Sequence, residues 1–130
     1  MSPQLFELAV DLILEREKRY HELAYYFLKE ALDFTLWRVA QDNGGQFRQV
    51  TGQELSLGFR DLALEQFGSG TSSLMLKWGL RGSADIGEMV YLLIDAQILC
   101  KLDSDKKEDF AAVFDFDDLQ HEGGPEDERT

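Results

Sequence analysis

A chain of 130 residues, 44% hydrophobic and 29% charged, is long enough to bury one core without disulfides or metals. The formal charge of −12 is spread along the chain, with six Lys/Arg against eight Asp/Glu in residues 1–50, six against eleven in 51–116 and one against six in 117–130. Such a field repels a phosphate backbone, so only a local basic patch could bind nucleic acid.

The single cysteine, Cys100, cannot form an internal disulfide, and a reducing cytoplasm is the expected compartment. Met1 to Glu7 lacks the basic start and apolar run of a signal peptide, and no stretch approaches the ~20 apolar residues that span a bilayer. A soluble protein without membrane contact is expected.

In chain order, Pro3 suits a first helical turn, and Leu5, Phe6, Leu8, Ala9, Leu12 and Ile13 recur at helical spacing up to about Arg16. A charged connection, Glu15–His21, leads to a longer helix from His21 to about Gln41. Its broad apolar face holds Leu23, Ala24, Phe27, Leu28, Ala31, Leu32, Thr35, Leu36 and Val39, flanked by Tyr25, Tyr26, Phe34 and Trp37. Asn43-Gly-Gly45 stops it, and Phe47–Val50 reads as a short extended piece. Thr51-Gly-Gln-Glu54 is a capping box that opens a third helix running to Phe67, closed by Gly68. Ser69–Ser72 starts a short fourth helix bearing Leu74, Met75 and Trp78.

The central stretch is Ser83–Leu99. Six apolar residues in a row, Met89–Ile94, exceed what one stripe of a surface helix carries, and no Gly or Pro interrupts Glu88–Leu99. With Ser83 as N-cap and Asp85 in the first turn, it reads as a helix enclosed by the others. Beyond it the period changes. Ile98–Leu102 and Phe110–Phe116 read as two strands of a hairpin, the second on the alternation of Phe110, Ala112, Phe114 and Phe116. Residues 117–130 read as an acidic disordered tail.

Several segments together resemble a family of small acidic bacterial proteins. They are Tyr25–Thr35, Thr51–Leu55 continuing to Ala63–Gly68, Trp78-Gly-Leu80, Asp85–Glu88 and Glu108–Phe110. The likeness extends over residues 5–118. It implies a bacterial cytoplasmic protein and no catalytic residues to carry over, since that family has no established activity. It also implies glycine at position 97, where this chain has Gln97.

Chemistry-bearing residues are few. The helix–helix–helix–hairpin order of 52–116 looks like a winged-helix unit, whose third helix would enter a DNA groove. That helix offers Asp85, Glu88 and Asp95 and no Lys or Arg, the opposite of a groove reader. Arg16, Lys18 and Arg19, and Lys101, Lys106 and Lys107, are matched by neighbouring acids and read as solvated faces. Asp103-Ser-Asp105 fails as a calcium loop, because Lys107, Glu108 and Phe114 fall where a ligand, glycine and glutamate belong. His21 and His121 have no evident nucleophile, Cys100 reads as a small hydrophobe, and Glu30 with Asp33 as a solvated pair.

The expectation is a mostly α domain over residues 1–116, with two N-terminal helices on a winged-helix-like unit that ends in a β-hairpin. The expected role is non-enzymatic protein interaction or regulation, without cofactor or metal. Tyr25, Tyr26, Phe34 and Trp37 have two readings, as rings that fill the seam against the first helix and hairpin, or as the candidate surface for another protein or a second copy. A nucleic-acid binder and a small enzyme or ligand carrier are the alternatives.

Overall fold

Helix boundaries follow from local capping chemistry. In the computed structural model, residues 3–99 and 107–116 are described. They form α1 (Pro3–Arg16), α2 (Glu22–Asp42), α3 (Gly52–Phe67), α4 (Thr71–Lys77) and α5 (Ser83–Asp95), with 3-10 turns at Gly68–Gly70 and Lys107–Phe110. His21 opens α2, its Nδ1 accepting from the Leu23 amide at 3.0 Å. The expected capping box opens α3: the Glu54 amide donates to Thr51 Oγ1 and the Thr51 amide to Glu54 Oε1. Arg48 grips the same carboxylate with both terminal nitrogens and holds the Glu54 carboxyl down to about 2.

Three helices end in the same way. After α2, α4 and α5 a residue with positive φ turns the chain, and the next amide returns to a carbonyl five residues back. The pairs are Gly45 to Ala40 at 2.7 Å, Leu80 to Met75 at 2.8 Å and Ile98 to Leu93 at 3.0 Å. The turning residues are Gly44, Gly79 and Gln97, the last with φ of 64°. The expected run of α5 to Leu99 is therefore cut at Asp95 by a left-handed turn at a non-glycine position. The start also differs from expectation: Gly82 is the cap and Ser83 the first helical residue.

α2 lies tightly on α3, where Gly58 leaves room for the Thr35 side chain; a Cβ at that position would collide with it. Thr35 is buried, and its hydroxyl donates to the Ala31 carbonyl at 2.7 Å. Beside this contact Phe27 meets Phe59 edge-on at 5.0 Å and reaches Phe67 and Trp78 at 5.4 and 5.8 Å. α1 adds Phe6, Ala9, Val10 and Ile13 to the core. α5 supplies Ile86, Met89, Val90 and Leu93 and is buried on that side, whereas Tyr91, Leu92 and Ile94 are half-buried, so the expected full enclosure is met on one side only. Each such side chain stabilises the fold by about 2 kcal/mol.

No sheet occurs among the described residues, and the expected second strand is a correction. Phe110 closes the 3-10 turn, Ala112 has φ of 59°, and β-type pairing is confined to an isolated antiparallel bridge between Gly82 and Asp115. Burial falls on Phe110 and Phe116, with Ala111, Ala112 and Asp115 exposed, so the two-residue repeat is not used. The Phe110 ring fits against Gly52 and Gly87, and a Cβ on Gly87 would lie 2.7 Å from Phe110 Cβ. The first expected strand, Ile98–Leu102, lies outside the described residues from position 100 onward, as does the tail from 117. Phe47–Val50 is an irregular connection, with Phe47 exposed.

Ser83 ties this returning segment down. Its buried hydroxyl donates to the Phe110 carbonyl at 2.5 Å and accepts from the Val113 and Phe114 amides at 3.0 and 3.3 Å. The Ser83 amide donates to the Phe114 carbonyl at 3.0 Å, and Ser72 Oγ donates to the Phe116 carbonyl at 2.5 Å.

Two stability measurements check this account. In denaturant unfolding, Ser83→Ala costs about 2 kcal/mol, because it takes the hydroxyl away from the three backbone groups bonded to it. Gln97→Gly stabilises by about 1 kcal/mol, because glycine adopts the left-handed turn without a Cβ penalty.

Candidate functional site

The four aromatic residues singled out on α2 do not share one surface. Tyr25 is fully buried and so falls to the seam-filling reading of the aromatic edge, not to the docking one. Its ring meets Tyr20 edge-on at 6.5 Å, and its hydroxyl lies buried with no hydrogen-bond partner among the described residues. Burial, helped by the nearby Glu17 charge, pushes that hydroxyl up to about 12. Tyr26 is half-buried and packs edge-on against Phe6 of α1 at 5.4 Å. Phe34 is half-buried beneath the Arg38 guanidinium, which stands 5.1 Å from the ring centre and pairs with Asp61 at 2.8 Å. Trp37 alone stands well out of the fold, 56% exposed.

Tyr26 belongs to a groove between α2 and α3 of about 350 Å³. Leu23, Tyr26, Phe27, Phe67 and Trp78 supply its apolar lining, and Lys29, Glu30 and Gln66 its polar rim. Leu23 was expected to face inward but is 52% exposed on the lip. Helix geometry explains the difference: Ala24, Leu28, Ala31 and Thr35 share the buried line of α2, and Leu23 lies about 100° off that line. A smaller and mostly apolar cleft of about 100 Å³ lies where α2, α3, α5 and the 3-10 turn meet. Leu32, Val50, Leu55, Val90 and Ile94 are among its walls.

α1 carries a feature the periodicity contained but did not separate. Phe6, Ala9, Val10 and Ile13 make one complete stripe toward the core. Leu5, Leu8 and Leu12 form a second stripe, i, i+3 and i+7, that faces water. The surplus of leucine over what one stripe holds was the available signal.

The remaining candidates sit as follows. His21 is exposed and caps α2 through Nδ1. Glu30 and Asp33 stand exposed on α2. Lys18 Nζ donates to the Leu14 carbonyl at the end of α1. Arg19 pairs with Glu17, and both Arg19 and Lys107 reach Glu88 of α5, at 3.8 and 3.1 Å. Asp85 accepts from the Tyr20 hydroxyl at 2.7 Å and the Arg81 amide at 2.9 Å. Burial above all, and then the Asp85 hydrogen bond, push the Tyr20 hydroxyl up. Cys100, Lys101, Lys106, His121 and Asp103-Ser-Asp105 lie outside the described residues. Among the described residues no group of three or more His, Cys, Asp or Glu side chains is placed to hold a metal ion. No described helix is long and apolar enough to cross a membrane.

Comparison with protein-family models, with curated proteins and with solved structures finds no match. The function is therefore argued from the surface chemistry of the chain itself.

The two buried tyrosines give a paired test of these environments. Tyr25→Phe removes a hydroxyl that bonds to nothing described and leaves stability unchanged or raised by up to about 1 kcal/mol. Tyr20→Phe takes a donor from the Asp85 carboxylate and costs about 1.5–2 kcal/mol. Thermal and denaturant unfolding of both variants measures the difference.

Proposed function

We propose that the chain is a non-enzymatic protein-interaction module, bacterial and cytoplasmic as its family resemblance implies, acting through the α2–α3 groove. The observation that carries this reading is the groove itself: an open, aromatic-lined trough of about 350 Å³ with Leu23 exposed on its lip. A trough of that size takes one or two large apolar side chains of a partner protein, and the burial of such anchors dominates interface energetics. Trp37, further along α2, provides an amphipathic contact outside the groove.

The helix order α3, α4, α5 supports taking the C-terminal half as a winged-helix-like scaffold. Its use on nucleic acid is disfavoured by the charges of α5, where Asp85, Glu88 and Asp95 are the only ionisable groups apart from Tyr91. Arg19 and Lys107 are engaged with Glu88 of α5. In this reading α5 is a structural pillar and binding falls to the α2–α3 groove.

Affinity capture with the full chain as bait tests the proposal. At least one protein held by the wild type is lost with Leu23→Asp combined with Trp37→Ala, and kept by the exposed control Leu76→Ala. Identical sets of captured proteins for all three baits overturn it.

A further inference from the structure

We infer that α1 carries a second docking face and that its occupant is a basic amphipathic helix of a protein partner. This goes beyond the groove, which none of the α1 side chains lines. The apolar part is Leu5, Leu8 and Leu12, exposed by 56, 53 and 46% while the neighbouring stripe of Phe6, Ala9, Val10 and Ile13 is buried. Three leucines at i, i+3 and i+7 make a ridge about 10 Å long, two turns of helix. Such a ridge matches the apolar seam of another helix better than it matches an extended peptide.

The charge beside the ridge selects the occupant. Glu7, Asp11 and Glu15 recur every fourth residue, all exposed, and form an acidic rail along the leucines. No cation among the described residues pairs with any of the three. α2 adds Glu22 to the acidic side, and the Tyr26 hydroxyl is pushed up by burial first and then by the Glu7, Glu22 and Asp11 charges. A second copy of this chain would set rail against rail and bring together two bodies of charge −12. An anionic membrane surface would meet the same repulsion. A helix with leucines on one side and Lys or Arg beside them fits both halves of the face, and its cations find carboxylates that nothing else in the described chain neutralises.

The test uses the full chain and two synthetic 18-residue helical peptides of the same apolar pattern, one of leucine and lysine, the other of leucine and glutamate. Titration is followed by fluorescence anisotropy at low and at physiological salt. The lysine peptide binds and the glutamate peptide does not. Leu8→Ser with Leu12→Ser weakens binding by about tenfold or more. Glu7→Gln, Asp11→Gln and Glu15→Gln together weaken it and flatten its salt dependence. Leu23→Asp and Leu76→Ser leave it unchanged, which separates this face from the groove. All substituted positions are exposed, and circular dichroism verifies the fold of each variant. The inference is overturned if the α1 substitutions leave lysine-peptide binding unaffected, or if the glutamate peptide binds as well. It is also overturned by sedimentation showing a wild-type dimer that Leu8→Ser dissolves, which would assign the ridge to a second copy.

Discussion

At the start of α5 one hydroxyl, that of Ser83, is fully removed from water and carries three hydrogen bonds to a segment some thirty residues further along the chain. A buried hydroxyl costs free energy unless its donor and acceptor capacity is used, and a returning backbone without a sheet has amides and carbonyls to satisfy. Ser83 meets both demands at once. Its grip sets where Phe110 falls, in the space kept open by Gly52 and Gly87, and where Phe116 falls, against Phe59 and beneath the Ser72 hydroxyl. The C-terminal end of the described chain thus becomes the floor under α3 and α5. The outer helices α1 and α2 are free to keep apolar groups on their far sides.

How much of this could be read from the residues depends on the range of the interaction. Helix identities were legible because caps and periodicity act within one or two turns: Thr51 with Glu54 opens α3, and glycines close α2 and α4. Interactions over long sequence separation were not legible. The alternation Phe110, Ala112, Phe114 and Phe116 imitates a strand, yet Ser83 imposes a tight turn through Ala112, and no partner strand is needed to satisfy the backbone. Gln97 is the intermediate case. The backbone takes the left-handed turn that glycine favours even though this chain supplies a side chain.

The candidate surface was read in part. An aromatic-rich α2 was evident, but the division of its rings between core and solvent is set by how α1 and α3 cross it, which the spacing on one helix cannot state. Tyr25 went inside because Tyr20, in the connection before α2, folds over it. Tyr26 went to the seam because Phe6 of α1 meets its edge. Leu23 stayed outside because it lies off the line of Ala24, Leu28, Ala31 and Thr35 that α2 turns inward.

Exposed apolar groups scattered singly need no functional account, since much of any protein surface is apolar. Phe47, in an irregular connection, and Leu76, near the end of a short helix, are of that kind. Ordering distinguishes the leucines of α1: three on one line of one helix, beside three carboxylates on the next line. Random exposure would scatter them, and a helix that needed only solubility would carry polar residues at those positions. The buried stripe of Phe6, Ala9, Val10 and Ile13 already supplies what folding asks of α1, and the second stripe adds apolar surface beyond that requirement.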